Sequence, residues 1–268
     1  MRQLKDAIRG EVVRLTRTRL PLWTLAAAVA CGGLLTGLVA LTGPENATPP
    51  MPGLDTVAGV SGVVGLLGVA LFVPALIGTV AITGEYRHRT VATTFLAVPN
   101  RGRVLVAKLI AYGGLGLAYG LVLAFSAVAG IYAGTFAYGI EPGLGLGAML
   151  GTTARYGAAA AIYMLLGVGI GAVARHQLLA IGITLGYFYF VDNLMMILPG
   201  ANIVYPFLPG GATSALTGST AILEMIAAET GVNGPVVQAP LVGALVLLGY
   251  ALASSALAAA VSLRRDVA

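Results

Sequence analysis

Charged residues are scarce in this sequence: Asp, Glu, Lys and Arg together make up only 9% of its 268 residues, whereas 58% are hydrophobic. In soluble domains about a quarter of the residues are charged, so this composition excludes a soluble globular protein. The mean hydropathy of +0.92 is instead typical of a chain whose solvent is the lipid bilayer.

Cysteine and histidine are also rare, and no catalytic motif is present. The single cysteine, Cys31, lies inside an apolar run, which excludes a disulfide within the chain. The two histidines, His88 and His176, stand beside arginines, without the cluster of cysteine, histidine and carboxylate ligands that a metal site needs. Neither the GxxxxGK[ST] phosphate-binding loop nor a recognisable nucleophile motif occurs. The sequence therefore predicts no metal, no cofactor and no catalytic site in this chain.

Long apolar runs, by contrast, fill most of the sequence. A helix needs about 20 apolar residues to cross a bilayer, and six such runs are present. We place the spans at 22–42, 57–82, 104–130, 149–174, 178–198 and 238–262. The third and fourth are long enough to tilt or to extend beyond the bilayer. The predicted fold is all-α, a polytopic membrane protein with six transmembrane helices.

The cations indicate the orientation of these spans. Of the 15 Lys and Arg residues, six lie in the first 20 residues and five between residues 83 and 108, whereas 43–56, 131–148 and 199–237 contain none. Because Lys and Arg near span ends stay on the cytoplasmic side, both termini are predicted to be cytoplasmic. The net charge of +5 then favours anionic lipid headgroups, and not nucleic acid, as partners. Arginine outnumbers lysine 13 to 2, which is typical of a GC-rich bacterium, so we predict a multi-pass protein of the bacterial cell (inner) membrane.

Residues 1–20 form a separate predicted unit, ahead of a transmembrane domain at 21–268. At 100° per residue, one helix face carries Leu4, Ile8, Val12 and Leu15. The cations that point away from it are Arg2, Lys5, Arg9 and Arg17. This pattern predicts a cytoplasmic amphipathic helix lying in the membrane interface, and a solvated basic tail is the alternative.

Glycines recur at i, i+4 inside the predicted spans. The pairs are Gly33/Gly37, Gly116/Gly120, Gly167/Gly171 and Gly182/Gly186. Small residues at this spacing let transmembrane helices approach one another closely, so we interpret all four pairs as packing surfaces.

The connection at 83–103 is the most polar part of the chain after the N-terminal unit. Glu85 is the one acid among five Lys and Arg residues between positions 83 and 108, and apolar residues alternate with the charges. We predict a short helix that begins near Glu85, where the helix dipole favours a carboxylate, and that Pro99 and Gly102 break before the third span. Such a helix is suited to docking on a soluble protein. The alternative is a loop that only sets the membrane topology.

The stretch GEYRHRTVATTFLAVPNRGRVLVAKLIA resembles the cytoplasmic connection of the type 2 ABC exporter permease family. That family's pattern is approximately G-E-x-x-x-G-T, an apolar stretch, P-x-x-R and a later lysine. The matching residues are Gly84, Glu85, Thr90, Pro99, Arg101 (close to the expected position) and Lys108. The basic N-terminal helix, the six spans and the long connection at 199–237 agree with the family layout. Arg89 departs from it, because it occupies the position that usually holds glycine.

The resemblance implies a permease subunit that dimerises with a second copy or a homologous permease and exports a substrate. The connection would be a coupling helix seated in a separate ATP-binding cassette ATPase subunit, which would hold the ATP and Mg. The residues implied in coupling are Gly84, Glu85, Tyr86, Arg87, His88, Thr90, Pro99 and Arg101. Glu85→Ala or Arg87→Glu is then expected to leave insertion intact and to lower ATP hydrolysis by the assembled complex.

Two other classes of function stay open. A gradient-driven transporter or channel normally carries several ionisable residues along its spans, whereas only Arg155 and Asp192 are candidates here. A membrane scaffold without a transport role is the other. The spans are mostly Ala, Gly, Leu and Val with a few aromatics, which favours a hydrophobic or amphipathic substrate.

Arg155 and Asp192 are the two charges that do not follow the topology. On antiparallel helices both are expected roughly 10 Å below the outer surface. Because an unpaired charge in a span is unfavourable, we predict that they form an intramembrane charge pair or share a polar cavity. If the fourth span begins later, Arg155 is an interfacial arginine instead.

The exterior connection at 199–237 is too long for a tight turn. Its segment 219–229 has the pattern of a short amphipathic helix capped by Ser219, which we interpret as a lid on the export path. Cysteines placed at positions 224 and 229 are expected to react with an impermeant thiol reagent from outside.

Overall fold

The computed structural model describes residues 2–48, 50–88, 100–198, 203–220 and 237–262. Within these ranges the chain forms eight helices and no strand, which confirms the all-α prediction. We number them α1 Arg2–Arg17, α2 Leu20–Thr42, α3 Val57–Arg87, α4 Arg101–Tyr138, α5 Leu146–Ala174, α6 Gln177–Met195, α7 Pro209–Thr217 and α8 Pro240–Ala260. Six of them (α2 to α6 and α8) are long and apolar enough to cross a membrane, as predicted.

Helix α4 is longer than the predicted span 104–130. Its 38 residues rise about 57 Å, nearly twice the roughly 30 Å of a bilayer's hydrocarbon core. The Asn100 side chain caps its N-terminus by accepting a hydrogen bond of 3.2 Å from the backbone N–H of Arg103. Gly102 therefore lies inside the first turn, and the expectation that it breaks a helix is wrong.

Helix α5 is the centre of the bundle and packs against α3, α4, α6, α7 and α8. Close contact depends on glycine, because a Cβ on Gly120 of α4 would lie 2.8 Å from the Cα of Gly157 of α5. Similar clashes would arise at Gly167 and Gly171, which pack on α3. Gly182 and Gly186 differ: neither has a non-neighbouring atom of the described residues within 4 Å of such a Cβ. They lie on α6, the least buried of the six spans.

We call the two ends of the bundle the proximal end and the distal end and define each by the contacts found there. At the proximal end, α1 packs on α4, and the end of α3 meets the start of α6 through a hydrogen bond of 3.2 Å from Arg87 to Gln177. At the distal end, Tyr138 donates a hydrogen bond of 2.7 Å to the carbonyl of Leu41. Successive spans thus run in opposite directions, as the predicted topology requires.

The long connection before α8 contains a helix that was not predicted. Residues 208–211, the LPGG stretch, lead into α7, which packs against α5 and α8 with its Pro209, Ala212 and Thr213 buried. This part of the connection therefore belongs to the distal core. Residues 221–236 lie outside the described residues, and with them most of the predicted amphipathic lid helix.

Candidate functional site

The predicted coupling segment connects α3 to α4 at the proximal end, and the structure describes both of its flanks. The first flank is the last turn of α3, which ends at Arg87. The second is the N-terminus of α4 at Arg101. Thr90 and Pro99 fall in residues 89–99, outside the described residues, so the predicted short helix there stays a prediction.

Glu85 does not begin a helix. It lies in the last turn of α3 and is 9% exposed, so the expectation of a dipole-stabilised carboxylate at a helix N-terminus is wrong. Basic side chains stabilise it instead. Lys108 of α4 donates a hydrogen bond of 2.5 Å to Glu85 Oε1, and Arg14 of α1 forms a second ion pair with the same oxygen.

A second acid completes the cluster. Glu11 of α1 accepts a hydrogen bond of 2.9 Å from Lys108 Nζ and forms an ion pair of 2.8 Å with Arg14. We call Glu11, Arg14, Glu85 and Lys108 the proximal charge cluster. Its two acids and two cations balance, and it joins three helices that are distant in sequence, α1, α3 and α4.

Most side chains of the proximal charge cluster are buried, so the loss of an ion pair there would affect stability. The side chains of Lys108, Glu11 and Glu85 are 4%, 8% and 10% exposed, whereas that of Arg14 is 37% exposed and reaches solvent. Desolvation of a buried charge is unfavourable unless a partner compensates it, and removing one partner typically costs about 3–5 kcal/mol. The cluster therefore holds the three helices in one arrangement even if the intact pairs add little net stability.

The sequence reasoning missed Glu11 and Arg14, although one signal was present. Glu11 is four residues from both Ala7 and Leu15, so it lies on the same face of α1, and all three are buried. Val12, which was predicted on the apolar face, is 43% exposed. An acid in line with the apolar residues of an amphipathic helix indicates a buried partner.

Two other predicted coupling residues, Tyr86 and Arg87, line an open groove that begins one residue after Glu85. It measures about 400 Å³ and is lined by Tyr86, Arg87, Arg175, His176, Gln177, Leu178 and Ile181. Gly84 has open space around its Cα, the His88 backbone caps α3, and Arg101 is half-buried as the first residue of α4.

The charge of this groove comes from two arginines. Arg87 is exposed and held by Gln177, whereas Arg175 ends α5 in the left-handed region, with φ of 54°. The described residues of its lining include no acid, so this part of the groove is complementary to a carboxylate or another anionic group.

Arg155 and Asp192 are not brought together. Arg155 is exposed and its guanidinium lies beside Gly218, whereas Asp192 is half-buried and accepts a hydrogen bond of 3.2 Å from the Gly210 backbone. Neither takes part in an ion pair within the described part of the chain. Asp192 lines a cavity and Arg155 does not, so the predicted pair and the predicted shared cavity are both absent from this structure.

One comparison with known proteins places this geometry in context. A family model described as ABC-2 family transporter protein matches residues 7–191, more than two thirds of the chain. The matched range runs from α1 into α6, so it includes the proximal charge cluster and both flanks of the coupling segment. No curated protein sequence matches significantly.

Proposed function

We propose, given that this chain belongs to the ABC-2 transporter family, that it is the permease subunit of an exporter whose ATP hydrolysis takes place on a separate subunit. The chain is a multi-pass membrane transport component. What the proposal adds is the ATPase partner, its docking position at the proximal end, a second permease copy and the direction of transport. ATP and Mg would belong to the partner.

The observation that carries the proposal is the proximal charge cluster. Lys108 contacts both Glu11 and Glu85, so α1 and the two helices that flank the coupling segment are joined at one buried point. A displacement of the segment by a docked ATPase would then move these three helices together. Helix α4 continues without interruption to Tyr138, so it can carry such a movement to the distal end.

The arginine groove supplies a complementary surface for the partner. Arg87 and Arg175 line it with no acid among its described residues, and an acidic side chain of the ATPase subunit would balance them. In a protein of the bacterial inner membrane, the proximal end would therefore lie on the cytoplasmic side. The distribution of Lys and Arg along the chain supports the same orientation.

The second permease copy would pack on α6. This span is the least buried of the six. Gly182 and Gly186 present no side chain on its surface, and a Cβ at either position would meet no neighbour among the described residues. Glycines at i, i+4 are the residues that let two transmembrane helices come close. In the other three glycine pairs at least one member packs on a helix of the same chain, whereas neither member of the α6 pair does so among the described residues.

Site-specific photocrosslinking tests the docking position. The crosslinking amino acid p-benzoylphenylalanine at position 87 is expected to capture a soluble protein that carries nucleotide-binding motifs, identified by mass spectrometry. The matched control places it at position 241, where Leu241 is 70% exposed at the distal end. Capture of the same protein at both positions, or of none at position 87, would contradict the proposal.

Charge reversal then separates docking from mere proximity. Arg87→Glu is expected to lower ATP hydrolysis by the assembled complex about fivefold or more while leaving membrane abundance unchanged. Arg17→Glu, on an exposed position of α1, is the control and should have little effect. A gradient-driven transporter or a scaffold predicts that hydrolysis is unaffected by either change.

A further inference from the structure

A cavity of about 210 Å³ lies in the distal half of the bundle, between α3, α5, α6 and α7. Among the described residues of its lining, Asp192 of α6 is the one carboxylic acid. The remaining wall is aromatic and hydroxyl-bearing, with Tyr156, Tyr163, Phe188, Tyr189 and Thr213 among its residues. The cavity is thus a small polar-and-aromatic chamber with a single carboxylate.

No cation among the described residues balances that carboxylate. Within the described ranges, no Lys, Arg or His nitrogen lies within 4.0 Å of it. The sequence offers none nearby, because residues 43–56, 139–154 and 196–239 contain no Lys, Arg or His. Arg155 is the exception at this end, and it is exposed beside Gly218 and does not line the cavity. The described part of the chain therefore supplies no positive charge for Asp192.

The hydroxyl groups of Tyr163 and Thr217, which line the cavity with Asp192, are hydrogen-bonded to other groups. Tyr163 Oη lies 2.8 Å from Thr213 Oγ1 and donates to the Pro209 carbonyl at 3.1 Å. Thr217 donates a hydrogen bond of 2.9 Å to the Thr213 carbonyl, and Asp192 itself receives the single backbone bond from Gly210. The carboxylate therefore retains the largest unused acceptor capacity in the cavity.

Aromatic rings complete a wall suited to a cation. The ring centroids of Tyr163 and Phe188 are 5.0 Å apart, and those of Phe72 and Tyr189 are 5.3 Å apart. Ring faces attract ammonium groups, most strongly where water is excluded. A divalent metal is disfavoured, because Ca²⁺ and Mg²⁺ take about six or more oxygen ligands and one carboxylate supplies two oxygens.

We propose that this cavity is a binding site for a small organic cation, with its ammonium group at Asp192 and its apolar body against Phe188 and Tyr189. The volume is below the roughly 300–1,000 Å³ of drug-sized sites, which restricts the ligand to a small amine or quaternary ammonium compound. The site lies within one chain and needs neither an ATPase nor a second copy. Its occupancy is therefore independent of the proposed exporter function.

Isothermal titration calorimetry of the purified full-length protein with phenyltrimethylammonium tests the site. This probe carries a fixed positive charge beside an aromatic ring. We expect saturable binding to the unmodified chain and at least about tenfold weaker binding to Asp192→Asn. Asp55→Asn, which removes an exposed acid at the same end, is the matched control and should bind like the unmodified protein.

A steric variant keeps the test decisive if Asp192→Asn folds poorly. A Cβ on Gly68 would face the cavity 3.7 Å from Tyr156 Cε1, so Gly68→Val places methyl groups in the ligand space and leaves the carboxylate intact. It should weaken binding, whereas Gly114→Val, at an open position on α4, should not. Absence of saturable binding to the unmodified protein, or equal affinity in the Asp192 or Gly68 variant, would overturn the proposal.

Discussion

The two ends of the bundle differ in whether their charged side chains have partners of opposite charge. At the proximal end, two acids and two cations from three helices compensate one another in the proximal charge cluster. At the distal end, Asp192 lines a cavity without a basic partner from the described residues, and Arg155 stays exposed. A balanced cluster fixes one arrangement of helices, whereas an unbalanced carboxylate leaves capacity for something that the chain does not supply.

The contrast between the two ends indicates different roles for their charged residues, which the composition of the chain could not distinguish. In a chain with only 9% charged residues, each buried charge is conspicuous. The proximal charges take part in contacts between helices, so they join α1, α3 and α4 to one another. The distal carboxylate makes one backbone hydrogen bond of 3.2 Å, so recognition is the role it can take.

The largest effect is expected from unbalancing the proximal charge cluster. Lys108→Met removes the cation that contacts both Glu11 and Glu85, so within the proximal charge cluster two acids face one cation. We expect a loss of about 3–5 kcal/mol in stability, measured as folded yield and thermal midpoint in mild detergent. For the same reason Glu85→Ala should lower folded yield.

The rescue variant shows whether the effect is electrostatic. Lys108→Met combined with Glu85→Leu removes one charge of each sign and leaves the Glu11–Arg14 pair, so most of the lost stability should return. Lys5→Met, on an exposed position of α1, controls for the removal of a lysine. If the double variant were no more stable than Lys108→Met, charge balance would not explain the cluster.

Much of the fold could be predicted because it depends on local composition. The six spans follow from the lengths of the apolar runs, and the alternation of cations agrees with the way successive helices reverse direction. Helix ends were less accurate: α4 begins at its Asn100 cap, a signal that was overlooked. The coupling residues were named from a motif, and the structure describes only its flanks.

The charge contacts could not be predicted, because they depend on helix rotation. Glu11 and Lys108 are 97 residues apart, and no spacing rule relates them. The prediction that Arg155 and Asp192 pair depended on their equal depth in the membrane. Equal depth does not determine the direction in which each side chain points. Because of the rotation of α5 and α6 about their own axes, the Arg155 side chain is exposed whereas the Asp192 side chain lines the cavity.

A smaller effect is expected on the unpartnered face of α6. Gly186→Leu should weaken self-association by about tenfold, because the branched side chain would hold the two helices apart. Resonance energy transfer between labelled copies in lipid vesicles measures it. Gly249→Leu is the control, since Gly249 has open space on α8. Equal association of both variants would mean that Gly186 faces lipid and that the second copy packs elsewhere.

The smallest effect concerns Arg155 and Asp192, and it bears most directly on the contrast between the two ends. Because Arg155 is exposed and unpaired in the described structure, Arg155→Ala should change the apparent free energy of unfolding by no more than about 0.5 kcal/mol. The changes caused by Arg155→Ala and Asp192→Ala should also add to within about 0.5 kcal/mol in the double variant. A buried pair predicts the opposite, since removing one partner would leave the other uncompensated. A coupling energy above about 1 kcal/mol would therefore mean that Arg155 reaches Asp192 in another conformation. In that case the chain would supply its own cation, and the distal end would be balanced in the same way as the proximal one.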